Sequence, residues 1–277
     1  MTPGFHTISL LLHDEVTAAN ELAKIGFQSI AIRPRLGGLD PNSRQFVAQI
    51  IEFMSVAKQL NHQVVFDIDA SFYHSPGTTL GPSLSSRDEA EANEAQAWIE
   101  KWIEVVSEHG WSGSNLITFA TGTIADADAE SESDESLLDR LASRLNLLVD
   151  RATQSNVRLG VRPVAGQTIA KVSQFERLRK WLSCDGPLLL AADVSEMILG
   201  GEIPIGERLS RNSQSLCCVY VGDPLQPPCS LVQLDVSLLV KSLKRCEFRG
   251  PLIFRIPGRS EQGLAIANDA WQLLAEC

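Results

Sequence analysis

Three arginines and several aspartates stand where short apolar runs end. Arg33 lies in IAIRPR, Asp67 and Asp69 close VVFDIDA, Arg162 lies in LGVRPV, Asp193 ends LLAADVSE and Arg255 lies in LIFRIPG. Tyr220 and Asp223 fall in CVYVGDP, and His74 sits in FYHSPG. Guanidinium forks grip carboxylates and phosphates bidentately. Carboxylates and a histidine that titrates near neutrality can move protons. Asp193, Asp67 and His74 are therefore the candidate proton carriers. Arg33, Arg162, Arg255, Tyr220 and Asp69 are the candidate substrate contacts.

Period-two alternation links these residues to their strands. If Arg255 faces inward, so does Ile253; if Arg162 does, so does Gly160; Ala191 and Leu189 share the face of Asp193. Asp67 and Asp69 share one parity. Charges brought together away from water must be paired or must hold a ligand. Three readings follow: Arg162 and Arg255 pair with Asp193 or Asp67 and plug the site, the arginines bind an anion, or they extend into solvent. His74 lies in a Gly/Pro/Ser-rich loop, where a backbone-bonded loop histidine is the alternative to a general acid or base.

The elements that must position these residues alternate. Strands are expected over 7–12, 29–32, 64–68, 116–119, 158–161, 188–192, 216–221 and 252–256. Helical periodicity is expected over 15–25, 43–60, 87–109, 137–152, 169–182, 231–246 and 261–276. Alternating strands and helices, with near-continuously apolar strands, argue a parallel sheet covered on both faces. Eight such units in a chain of 277 residues are the count of a (β/α)8 TIM barrel, expected to form one domain over 1–277. A doubly wound open sheet is the competitor, but no GxGxxG or GxxxxGK[ST] follows the first strand. In a barrel the active site lies at the C-terminal strand ends, where the charged residues fall.

Two connections, 70–86 and 120–136, exceed simple turns, and the second carries Asp126, Asp128, Glu130, Glu132, Asp134 and Glu135. It lacks the Asp-x-Asp-x-Asp-Gly pattern of a calcium loop. The net charge of −10 argues against nucleic acid and anionic membranes. No secretory signal or spanning segment is expected, and a cytoplasmic location is. The six cysteines form no CxxC pair and have no histidine at zinc spacing, so free thiols are expected. Adjacent Cys217 and Cys218 are expected on opposite faces of their strand. The remaining partner classes are a small anionic or sugar ligand and a second copy of the chain.

Four segments in order, ELAKIGFQSIAIRPR, LLLAADVSEMILGGEIP, CCVYVGDP and GPLIFRIPG, make the chain resemble the xylose isomerase-like TIM barrels, the sugar phosphate isomerase/epimerase group. The resemblance implies a divalent metal held by Glu, Asp, His and Glu from strands five to eight, polarising a hydroxy-ketone while carboxylates move protons. Of these positions only Asp193 is kept. Arg162 and Arg255 stand at the glutamate positions, Tyr220 at the histidine, Gly222 at a neighbouring lysine, and Glu196 where the sixth-strand motif has histidine. Exchanging two carboxylates for two guanidiniums changes the site by about four charge units, and permanent cations repel a dication. The expectation is a barrel without the metal or any other cofactor, acting on or binding an anionic sugar derivative or keto acid. The alternatives are an inactive isomerase-like barrel that binds a metabolite or partner, and a metal isomerase using Asp67, Asp69, Asp193, Glu196 and Asp223.

Overall fold

A computed structural model describes residues 1–69, 82–123, 133–184, 186–222, 235–258 and 260–277. Eight parallel strands close into a barrel in sequence order. They are β1 (Thr2–His6), β2 (Ser29–Ile32), β3 (Gln63–Asp67), β4 (Leu116–Phe119), β5 (Arg158–Val161), β6 (Leu189–Asp193), β7 (Leu216–Val221) and β8 (Pro251–Phe254). The main outer helices are α1 (Glu15–Ile25), α2 (Phe46–Gln59), α3 (Glu89–His109), α4 (Asp134–Gln154) and α5 (Val172–Leu178). The short α6 (Val194–Leu199) and α7 (Ile205–Arg211) join β6 to β7, and α8 (Val236–Arg245) and α9 (Gly263–Ala275) complete the ring. The (β/α)8 TIM barrel is the observed architecture.

Local sequence explains the boundaries. The Asp14 carboxylate accepts the Thr17 amide at 2.7 Å and starts α1. Gly26 ends it with φ +120°, where a Cβ would lie 2.5 Å from the Trp271 ring.

The first strand departs from the sequence expectation. The apolar run 7–12 is a 3-10 turn over Thr7–Ser9 followed by loop, with Leu12 72% exposed. The strand is the preceding TPGFH, whose Pro and Gly mask its propensity. Gly4 is needed there, since a Cβ would fall 2.3 Å from Ile253 Cδ1 and 2.7 Å from Ser29 Cβ. The shift moves His6 from the far end of β1 to its C-terminal end, at the mouth.

The barrel interior is filled by Ala31, Val65, Leu116, Leu189, Ala191, Cys217, Cys218, Tyr220 and Ile253, separate from the larger core between strands and helices. Both adjacent thiols belong to this inner cluster, contrary to the two-face expectation. Along β6–β7 the register jumps, pairing Leu190 with Leu216 and Ala191 with Cys218. Cys217 is the extra residue of that bulge. Cys217, Cys218, Cys246 and Cys277 are free thiols; Cys229 lies outside the described residues.

Candidate active site at the barrel mouth

The inward faces of β3 to β8 end in one charged layer. Asp67 is opposite Thr118 in register, Asp193 opposite Tyr220, and Tyr220 opposite Ile253. Arg162 and Arg255 each stand one residue beyond the end of their strand. Arg162, 3% exposed, lies at the centre. Its Nε is 3.5 Å from Asp67 Oδ1, its Nη1 3.6 Å from Asp193 Oδ2, and its Nη2 is in contact with Asp69 Oδ2. Its guanidinium also lies 5.8 Å from the Tyr220 ring centroid, a cation–π distance. Burial opposes its charge, but the three carboxylates hold the guanidinium above its ordinary value.

The carboxylates differ in how their oxygens are used. Asp67 faces His6 Nε2 at 3.0 Å and the Thr118 hydroxyl at 3.4 Å as well as Arg162. Burial alone would raise its carboxyl; Arg162 and then His6 hold it well below the usual range. Asp69 accepts the Ala120 amide at 2.9 Å through its other oxygen. Asp193 caps α6, its Oδ1 accepting from the amides of Ser195 at 3.0 Å and Glu196 at 3.4 Å. Its Oδ2 is buried with no hydrogen bond.

The other two arginines are less committed. Arg255 stands 3.9 Å from Asp67 and 3.7 Å from Asp193, beyond hydrogen-bonding reach, and its buried Nε has no partner. Arg33 shares the inward face of Ala31 and makes no hydrogen bond or ion pair among the described residues. Burial pulls its guanidinium below its ordinary value; Asp67 opposes this and Arg255 adds to it.

Sequence reasoning singles out neither His6 nor Thr118, and it names Glu196 only at the motif's histidine position and among alternative metal ligands. His6 contacts Asp67 through Nε2; a first strand expected over 7–12 leaves it outside the barrel. Thr118 joins the Tyr220 hydroxyl at 2.6 Å to Asp67, and its alternation with inward Leu116 is the signal the sequence holds for it. Glu196 in the first turn of α6 accepts the Ala165 amide at 2.8 Å. Burial and then the Asp193 charge raise its carboxyl. His74 and Asp223 lie outside the described residues.

Gly222 fixes the seventh corner. A Cβ there would lie 2.6 Å from the Arg255 carbonyl oxygen and 2.8 Å from Ser195 Oγ. Because the first of these is backbone, Gly222→Ala is expected to cost about 1–3 kcal/mol through overpacking. Urea denaturation checks this, and an unchanged midpoint would refute the contact.

Over residues 19–277 the chain matches the family model of the xylose isomerase-like TIM barrel. No curated protein matches it in sequence. Among solved structures, the apo 3-keto-D-glucoside 4-epimerase of E. coli is similar over 100% of both chains, with TM-score 0.78 and 15% identity. An L-ribulose 3-epimerase is similar over 99% of this chain and 93% of its own, with TM-score 0.79 and 15% identity. D-psicose 3-epimerase from Clostridium cellulolyticum H10 is similar over 100% of this chain and 98% of its own, with TM-score 0.76 and 14% identity. At these identities the likeness is one of fold, and the family model carries the assignment: the chain belongs to the xylose isomerase-like TIM barrel family.

Proposed function

We propose that the barrel acts on a small anionic sugar derivative or keto acid at its C-terminal mouth, without the divalent metal of its family. One observation carries the reading: Arg255 Nε and Asp193 Oδ2 are buried at the mouth without hydrogen bonds, which is costly unless a ligand or water completes them. The donor set does not fit a dication. Arg162 occupies the space between Asp67, Asp69 and Asp193, and Arg255 stands over Asp193. A hard cation needs those oxygens for itself. Among the described residues no three His, Cys, Asp or Glu side chains group as a metal site. Restoring the family's lysine at Gly222 would strike the Arg255 backbone.

Chemistry without a metal is available to these groups. Asp193 Oδ2 accepts the proton from the carbon beside the carbonyl. The C–H electron pair moves onto the carbonyl oxygen, giving an enediolate that the Arg255 guanidinium stabilises. Return of the proton from Asp193 to the neighbouring carbon, with the hydroxyl proton passing to the enediolate oxygen, isomerises the substrate; epimerisation needs a second acid on the opposite face. Asp67 is a poor carrier, since three partners hold it ionised. A second reading, a binding protein without turnover, is favoured by the closed pairing of Arg162 with three carboxylates.

Thermal melts of EDTA-treated protein test the proposal. Manganese at millimolar concentration is expected to leave the melting temperature unchanged. An anionic sugar at ~100 times its dissociation constant adds ~2.7 kcal/mol, a rise of several degrees. A comparable rise with manganese overturns the metal-free reading. Turnover of the stabilising compound that Asp193→Asn abolishes excludes the binding-only reading; binding with no turnover establishes it.

A further inference from the structure

We infer that Arg33 and Arg255 together hold the carboxylate of an α-hydroxy sugar acid, which enters the mouth carboxylate first, while Arg162 takes no part in ligand binding. The inference rests on the mouth being an anion site, and it narrows the class of anion.

The division among the arginines follows from their partners. Arg162 is 3% exposed against 20% for Arg255. Its Nη2 bonds Asp69, and its Nε and Nη1 stand 3.5 and 3.6 Å from Asp67 and Asp193. An anion entering the mouth therefore meets Arg255 first, although Nε lacks a hydrogen bond in both arginines. Arg255 has two distant ion-pair partners and an unpartnered Nε. Arg33 has no hydrogen bond or ion pair among the described residues. Only β1 separates β2 from β8 in the barrel. Its inward residues are Gly4, which has no side chain, and His6. The His6 Nδ1 accepts the Ile8 amide at 2.9 Å, so the neutral ring carries its proton on Nε2, toward Asp67. The β1 floor between the two guanidiniums is thus uncharged. Asp67 attracts both, but it is shared with Arg162 and His6, and a bound anion would compensate the pair directly.

Depth and donor type select a carboxylate over a phosphate. Both arginines directly follow their strands, so the ligand's charge sits at the level of the strand ends, not out on the loops. Phosphate sites draw on several backbone amides at a helix N-terminus. At the start of α6 the amides of Ser195 and Glu196 are already taken by Asp193. Planar guanidiniums match a planar carboxylate in bidentate geometry. The unpartnered Asp193 Oδ2 lies 3.7 Å from Arg255 Nη1, beside the carbon next to that carboxylate. There it accepts that carbon's hydroxyl in the resting complex and can take that carbon's proton in turnover.

Isothermal titration tests this with four-, five- and six-carbon aldonates, the corresponding neutral aldoses and their terminal phosphates. The proteins are wild type, Arg33→Gln, Arg255→Gln and Arg255→Lys, each first shown by its melt to be folded. At least one aldonate is expected to bind wild type, about tenfold or more weaker in each Gln variant, with partial recovery in Arg255→Lys. Each such hydrogen-bonded charge is worth that much. The neutral aldose should bind worst. If a phosphate binds through Arg33 and Arg255 and the aldonates do not, the carboxylate assignment falls while the anion site stands. If an aldonate binds equally well to both Gln variants, the grip is misassigned. If no member of the set binds wild type, the inference falls; whether the proposed function falls with it is decided by the wider melts above.

Discussion

Replacing Arg162 by glutamine is expected to destabilise the protein by roughly 3–5 kcal/mol, the usual cost of stripping one partner from a buried ion cluster. Asp67 and Asp193 are almost fully buried, and Arg162 is the cation common to them and Asp69. Without it, carboxylates beside one another in a poorly solvated barrel end repel, and their mutual repulsion and burial favour taking up a proton. Such groups bind more protons folded than unfolded, so the variant's stability falls as pH rises through the carboxylate range. The deficit is therefore largest at pH 7.5 and shrinks toward pH 4–5. At about 2–4 °C per kcal/mol for a chain near this size, the melting temperature at pH 7.5 should drop by on the order of 10 °C. Adding Asp67→Asn should recover part of the loss, because the two residues share one network. A drop of only a degree or two, equal at both pH values, would show that Arg162 is not the keystone of the cluster.

That keystone role was half visible in the sequence. Alternation placed Arg162, Asp193, Asp67 and Asp69 on one face, because the side-chain period of a strand is 2 and the apolar runs of β3, β5 and β6 are sharply bounded. The structure brings those four together, along with Arg255, Tyr220 and the charge of Arg33. Seven of the eight strands were legible to within a residue or two, since helices cover the barrel outside and side chains fill it inside. The failure at β1 has a physical cause. Five residues including Pro3 and Gly4 carry no strand signal of their own, and tertiary pairing to β2 and β8 makes them a strand. Alternation also fails at a bulge, so the inward turn of Cys217 could not be foreseen. Nor could it say which arginine is sealed in and which reaches the mouth, because that depends on packing across the barrel.

The same layout generalises the comparison with a metal site. A dication would draw carboxylates around one point and leave its open coordination positions to substrate. Here Arg162 takes the central position and, almost fully buried among three carboxylates, it presents little of itself to a ligand. In the reading proposed above, Arg33 and Arg255 grip the ligand's carboxylate together, and Arg255 also stabilises the charge that develops in the reaction. That separation of structural from ligand-binding charge is the reason the stability test on Arg162 and the affinity tests on Arg33 and Arg255 should give different outcomes.

His6 supplies the second large effect, a loss of stability in mild acid. The ring is fully buried, its Nε2 against Asp67 and its Nδ1 accepting the Ile8 amide. Protonation would place a second donor on Nδ1 against that amide, in a site where burial already penalises charge. Burial is the largest cause and outweighs the attraction of Asp67, so the imidazole is lowered to about 4 from an ordinary value of 6.5. The unfolded chain then takes up its histidine proton near pH 6.5 while the folded protein resists until about pH 4. Stability is full above that window and falls as pH drops through it, by about 3 kcal/mol. Asp67 loses its contribution only below the ordinary carboxylate range, so it leaves this window largely untouched. Glu196, whose carboxyl is raised, acts with the opposite sign near the lower edge, and the difference between wild type and His6→Gln removes its contribution. Urea denaturation of both proteins at half-unit steps from pH 7 to 4 should show the wild-type advantage shrinking steadily with acidification. A constant difference across that range would mean that His6 titrates no differently folded than unfolded, and the neutral floor beneath Arg33 and Arg255 would be lost with it.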